Sequence, residues 1–429
     1  MKVNNKVEVF LEYIIAICIV INCNSVWIYM SSTSIDLKTL NLVVTNCFLL
    51  ILNIISIKSI VKNKKIFLKT LILIIFILVY NIIFIFLNRN NSVSFILKFV
   101  LTLICFVIYN SYKFKNEKNN SLLIKISNLI VVFSVISLIF YFTGSVFKII
   151  KPNSQVFYLW GAPRYIPSYY NMYYETNTTN IAGLSIVRNS GMFTESPMHA
   201  FNLCIALLIQ LFVIRRNNKK RLIILLITIL TTLSTTGIIV SSVLVIIYIL
   251  INKSKKSIYS IIKILTFPII LFISIFLSIY FITDKINSSK YNMGSYSVRM
   301  DDFKVGLNAW NDHKIVGNGY TRQDITQSYM DINARGTDIG GSSGLMVVLP
   351  EGGIYLLSIY MIPLIVSIVY SIRKKNISVV IMYITITILF IITNIPYTYM
   401  MIYFLSLGYS LSLALWKRDS NKTEKIHLR

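Results

Sequence analysis

The chain has 429 residues, 55% of them hydrophobic and 14% charged, with a formal net charge of +26. Its apolar residues fall mostly in runs of about 17 to 25, the length that crosses a bilayer, which excludes a soluble globular protein. The basic residues sit in short clusters between these runs, so they read as topology signals and not as a nucleic-acid surface.

Apolar runs lie at about 9–30, 40–57, 66–87, 93–110, 122–142, 198–214, 222–251, 258–282, 344–370, 377–393 and 396–415. Glu8 and Glu12 enter the first run and no small-residue cleavage site follows it, so a retained span is expected and not a signal peptide. Cys18, Cys23, Cys47, Cys105 and Cys204 lie in or beside apolar runs without metal-ligand spacing and read as packing residues. The 222–251 run has basic flanks on both sides, Arg215 to Arg221 and Lys253 to Lys256. If both flanks are cytoplasmic the chain crosses twice there, turning at Thr231-Thr-Leu-Ser-Thr-Thr-Gly237. The expectation is an all-α polytopic membrane helical bundle of about twelve transmembrane spans, one integral domain over residues 1–429, with both termini cytoplasmic and two long outer loops at 143–197 and 283–343.

Those two loops hold nine of the 16 acidic residues, together with His313, and His199 follows the first loop. Lys69, Lys98, Lys125 and Lys263 lie near span ends and can snorkel. That pattern argues against an ion-coupled pathway through the membrane centre.

The first outer loop ends in Arg188-Asn-Ser-Gly-Met-Phe-Thr-Glu-Ser-Pro-Met-His199. Ser196-Pro197 reads as a helix start, with serine able to cap and proline suited to the first turn. His199 falls in that first turn, and Gly191 permits a bend that lets Arg188 fold back over the helix end. Free N–H groups and a guanidinium fork together fit a phosphate, giving an anion site at the outer surface. A plainer reading stays open: Glu195 complements the helix dipole, His199 lies in the interface and Arg188 meets ordinary headgroups. The tyrosines at 165–174, with Tyr158 and Trp160, either stack on sugars or anchor at the interface.

In the second loop Tyr296 to Trp310 reads as an amphipathic helix with Val298, Phe303, Leu307 and Trp310 on one side and Arg299 near its start. Asn311 to Tyr320 is turn-rich. Ile339 to Gly353 then re-enters the membrane with a break at Pro350 to Gly353, tolerated only where protein or a cavity covers it. Glu351 beside the break is either polar glue or part of a site.

R-x-S-G-x-F-T-E-S-P at Arg188–Pro197, S-x-R at Ser297–Arg299, G-N-G-Y at Gly317–Tyr320 and the glycine-broken span occur in this order within one topology. On these motifs the chain resembles the bacterial polysaccharide repeat-unit polymerases, the Wzy class, within the O-antigen polymerase and ligase superfamily. The resemblance implies polymerisation of undecaprenyl-diphosphate-linked oligosaccharide repeats into capsule, O-antigen or exopolysaccharide at the outer face of the cytoplasmic membrane. It assigns Arg188, Arg299 and Tyr320 to the pyrophosphate and glycan, and both arginines are expected to converge on one outer cavity. Glu195 is the first candidate general base and His199 the second, with Asp301 or Asp302 behind them. The donor is already activated, so the reaction calls for no metal and no cofactor. Implied partners are the lipid-linked oligosaccharide and membrane lipids, with a chain-length regulator protein left open and no nucleic acid.

Two departures bear on this. Related sequences often have Glu-Pro where this chain has Glu-Ser-Pro, and many ligases carry His-Asn before the broken span, where this chain reads Gly-Gly-Ser-Ser. The second lowers the ligase alternative and leaves the base open. A lipid-oligosaccharide flippase or transporter would have matching halves, but the long loop between the fifth and sixth spans has as its counterpart only Thr393-Asn-Ile-Pro396.

Overall fold

A segment in hydrocarbon must satisfy its backbone internally, and isoleucine- and leucine-rich runs do so as helices. The computed structural model describes residues 5–30, 36–88, 93–115, 120–181, 184–214, 218–251, 295–331 and 340–415. Its elements in chain order begin with α1 (Asn5–Asn22), α2 (Val26–Tyr29), α3 (Leu37–Val61), α4 (Lys64–Asn88), α5 (Val93–Phe114) and α6 (Ser121–Val146). Strands β1 (Ser154–Tyr158), β2 (Arg164–Tyr169), β3 (Tyr173–Tyr174), β4 (Thr178–Ile181) and β5 (Leu184–Val187) follow. Then come α7 (Ser196–Phe212), α8 (Lys219–Thr231), α9 (Thr235–Ile251), α10 (Ser295–Asp312), α11 (Gln323–Ser328), α12 (Leu345–Arg373), α13 (Ile377–Ile392) and α14 (Tyr399–Leu415).

The chain is mostly helical and multi-pass. Among the described residues α3 to α6 and α12 are long and apolar enough to cross a membrane, while α7, α9, α13 and the 399–411 part of α14 are shorter apolar helices. The expected run at 258–282, the Arg215–Arg216 pair and the 283–294 and 332–339 parts of the second loop lie outside the described residues. The expected turn within 222–251 is present: α8 and α9 part at Thr232 to Ser234.

Two expectations are corrected. The first apolar run is not one span to residue 30: α1 stops at Asn22, Asn24 turns left-handed (φ 53°), and Ser25 and Val26 pair with the 192–193 backbone. The fold is also not purely α, because the segment between α6 and α7, expected as the first outer loop, contains five strands in two antiparallel sheets, β1-β2-β3 and β4-β5. Their cause is local alternation: Val156, Tyr158 and Ile166 point inward while Gln155 and Tyr165 face out, the period of a half-buried strand.

The chain divides into two compact units, residues 1–23, 35–125 and 299–429 in the first and 24–34 and 126–298 in the second. In the first, α5 packs on α3 and α14, and α12 on α13 and α14. Glu8 and Glu12 are buried there with Lys113 and Lys125: Lys113 bridges to both glutamates and Lys125 to Glu12, and Tyr109 donates to Glu12 at 2.7 Å. Two carboxylates and two ammoniums cancel, the condition for charge to survive burial.

In the second unit α7 is buried from Met198 to Leu211 and packs on α8 and α9. A Cβ at Gly237 would stand 2.7 Å from that of Ala200, so glycine sets how closely α9 approaches α7.

Candidate functional site

The loop-to-helix turn at 188–199 is built within the second unit. Ser196 is the first helical residue and Glu195, extended at φ −148°, ψ 154°, occupies the capping position without a side-chain cap. The expected serine cap is thereby corrected. Ser196 Oγ lies 3.1 Å from Ser190 Oγ, which accepts from Thr176 at 2.7 Å, so the serine serves a buried hydroxyl chain. Glu195 is half-buried, and its carboxylate accepts from the Trp160 indole Nε1 at 2.5 Å. Tyr29 meets Trp160 edge-on at 4.8 Å, which fixes the indole that orients the carboxylate.

The β1–β2 hairpin holds the same turn from its other end. Tyr158 donates to the Thr194 carbonyl at 2.5 Å, and the Arg164 guanidinium lies 5.2 Å over the Tyr158 ring. Burial, and after it the charge of Glu195, pushes the Tyr158 hydroxyl far above its ordinary range, so it stays a donor.

His199 is buried, 1% exposed, with Nδ1 3.2 Å from the Asn189 carbonyl and its ring stacked on Phe193 at 5.4 Å. It forms the floor beneath Gly191, where φ is +55° and a Cβ would stand 2.9 Å from the imidazole Cε1. Arg188 is at the end of α8: Nε donates to the Thr232 carbonyl at 3.0 Å and Nη2 to that of Leu233 at 3.2 Å. Asn189 adds bonds to the Thr231 carbonyl and hydroxyl. Carbonyls at a helix end lack intrahelical partners and carry the negative pole of the dipole, which suits a cation.

The first unit holds the second set of motif residues, around the broken span. Gly353, at φ 58° and ψ −160°, interrupts α12. The break denies Ile354 and Tyr355 N–H the i−4 carbonyls of Pro350 and Glu351. The 314–319 segment takes both sides of the exchange. Ile354 and Tyr355 donate instead to Lys314 and Ile315 at 3.0 and 2.9 Å, while Asn318 and Gly319 N–H donate to Pro350 and Glu351 at 2.8 and 2.9 Å. The expected protein cover over the break is therefore the Gly317–Tyr320 motif itself.

Tyr320 is 5% exposed, edge-on to Tyr397 at 4.9 Å and against Phe95 at 5.1 Å. Burial, with the charge of Glu351 next, pushes its hydroxyl up to about 12. Glu351 is buried and accepts from the Tyr397 hydroxyl. Arg299 is half-buried on α10, as is Asp301, while Asp302 is buried and accepts from Ser342 N–H at 2.9 Å.

Arg188, Glu195 and His199 thus share one turn in the second unit, whereas Arg299 and Tyr320 belong to the first. Sequence reasoning missed Trp160 as the partner of Glu195 and Tyr397 as the partner of Glu351. Trp160 was visible only as one of several outer aromatics, and no spacing rule links it to a residue 35 positions away.

Apolar helices around buried polar turns define a multi-pass membrane protein. Residues 192–342, which contain Glu195, His199, Arg299 and Tyr320, match the family model described as O-antigen ligase. Over this segment, about a third of the chain, the protein is similar to the O-antigen polymerase and ligase superfamily, whose members are membrane enzymes acting on glycans. No curated protein matches it.

Proposed function

We propose that this protein polymerises undecaprenyl-diphosphate-linked oligosaccharide repeats into a surface polysaccharide at the outer face of the cytoplasmic membrane. The observation that carries the reading is the Glu195 carboxylate, half-buried at the start of α7, free of capping duty and oriented by the Trp160 indole. In the proposed step an acceptor sugar hydroxyl attacks the anomeric carbon of the donor. Glu195 takes the hydroxyl proton while the bond from that carbon to the diphosphate oxygen breaks, and the lipid diphosphate leaves with the electron pair. Arg188, on the same turn as Glu195, opposes the charge that accumulates on this leaving group. His199, with its ring enclosed by Gly191 and Phe193, serves by shaping the turn, so the base role falls to Glu195. Tyr320 supports the second motif from within an aromatic cluster.

The test is extension of a purified lipid-linked repeat in vitro. Glu195→Gln should lower the rate about 100- to 10,000-fold, the usual worth of a general base, with the protein still inserted and folded. Near-normal ladders from Glu195→Gln would remove Glu195 from the chemistry. A second reading, transfer of a finished glycan to another acceptor, is favoured by the description of the matching family. Product analysis separates the two: a ladder of repeats supports polymerisation, and one transfer per acceptor supports ligation.

A further inference from the structure

In the first unit an open depression of about 680 Å³ lies where α4 ends, against the segment that covers the broken span. His313, Lys314 and Arg322 line it, and among the described residues no acidic one does. Asn88, the last residue of α4, also lines it, and its Nδ2 is buried without an acceptor among the described residues. Arg322 Nε and Nη2 hold Asp324 at 2.9 and 2.8 Å, an exposed pair that fixes the guanidinium plane and leaves Nη1 outside it. With Asp324 balancing Arg322, Lys314 carries the net charge while Arg322 and Asn88 present N–H donors.

Apart from Asn318 and Gly317, the remaining lining is apolar. Leu87 is 50% and Ile315 71% exposed, and Phe86, next to Leu87 on α4, is 81% exposed. Cations and oriented N–H donors against exposed aliphatic surface, at the end of a span, match an anionic headgroup with its acyl chains and not a free polar anion. We propose that this depression binds the phosphate of an anionic phospholipid, with Lys314 and Arg322 on the phosphate and Leu87 and Ile315 along the acyl chains. None of its lining residues belongs to the turn that carries Glu195, and the proposal does not depend on which glycan reaction the protein performs.

The experiment is thermal unfolding of the full-length protein in a neutral detergent, titrated with phosphatidylglycerol, phosphatidylcholine or inorganic pyrophosphate. A ligand bound only by the folded state raises Tm with concentration. Phosphatidylglycerol should raise it and the other two should not. Lys314→Gln with Arg322→Gln should weaken the phosphatidylglycerol response about tenfold or more, the scale of losing a charge-assisted hydrogen bond. Both side chains are exposed, and the single Lys314→Gln variant, which leaves the Arg322–Asp324 pair intact, carries the same test if the double variant does not fold. Equal responses to phosphatidylglycerol and phosphatidylcholine, or an undiminished response in the variants, would overturn the proposal. So would a response to pyrophosphate matching that to phosphatidylglycerol, which would make the depression a site for free diphosphate.

Discussion

Two turns in this protein meet a helix by different physical means. The 188–199 turn is held mainly by side chains: Arg188 and Asn189 on the end of α8, His199 under Gly191, Trp160 on Glu195. The 314–319 segment meets α12 mainly by backbone, exchanging two lost helical bonds for four bonds to another segment, with Asn318 Nδ2 adding one to the Pro350 carbonyl. A side-chain joint can hold a reactive group and still adjust when one partner shortens. A backbone joint has less slack, because a Cβ at Gly317 or Gly353 strikes main-chain atoms.

The sharpest way to break this contrast is at the backbone joint. Gly353 adopts a φ and ψ essentially confined to glycine, and a Cβ there would strike the Ile315 and Lys314 carbonyls; one at Gly317 (φ +74°) would strike the backbone of Glu351 and Gly352. Gly353→Ala and Gly317→Ala should each cost about 3 kcal/mol or more, from strain and overpacking together. Thermal unfolding in detergent measures this, and a Tm near that of the parent would show that the joint can yield.

Arg188 comes next. Arg188→Ala removes donors from two carbonyls at the end of α8 and should cost about 2 kcal/mol, the range of hydrogen bonds made by a charged group. Arg188→Lys should recover part of the stability, since an ammonium keeps the charge but loses the fork. Full recovery by lysine, in denaturation and in chain extension alike, would reduce Arg188 to a point charge.

Gly191→Ala should cost about 2 kcal/mol, because positive φ is strained for alanine and its Cβ crowds the imidazole. Here the obstacle is a side chain, so His199→Ala in the same chain should relieve the crowding and leave the strain. A double-mutant cycle reads that coupling; strict additivity would deny that Gly191 and His199 form one joint.

Trp160→Phe is expected to have the smallest effect on stability, about 1 kcal/mol for one hydrogen bond, since the ring volume largely remains. Its effect on extension should lie below that of Glu195→Gln, because the carboxylate is still present but no longer oriented. Loss as large as that of Glu195→Gln would mean the indole does more than position.

By itself the sequence determined the helical membrane architecture, the turn between two helices at Thr231 to Gly237, the helix starting near Ser196-Pro197, a helix at 296–310 and the break at Pro350 to Gly353. These follow from run length, periodicity, proline and glycine, all of which act within a few residues. Its reading of a purely helical chain failed at 154–187, where the alternation of Val156 and Tyr158 with Gln155 was present but was passed over as a polar outer loop. The apolar face expected of the helix at 296–310 was also misplaced, since that helix buries Asp302, Val305 and Ala309 and exposes Leu307. What only the tertiary structure decided is pairing across distance: Arg188 with Thr232 and Leu233, Trp160 with Glu195, and Asn318 and Gly319 with the carbonyls of the broken span. The physical reason is that composition and period fix what a segment can form, while which distant donor meets which acceptor depends on how the elements pack.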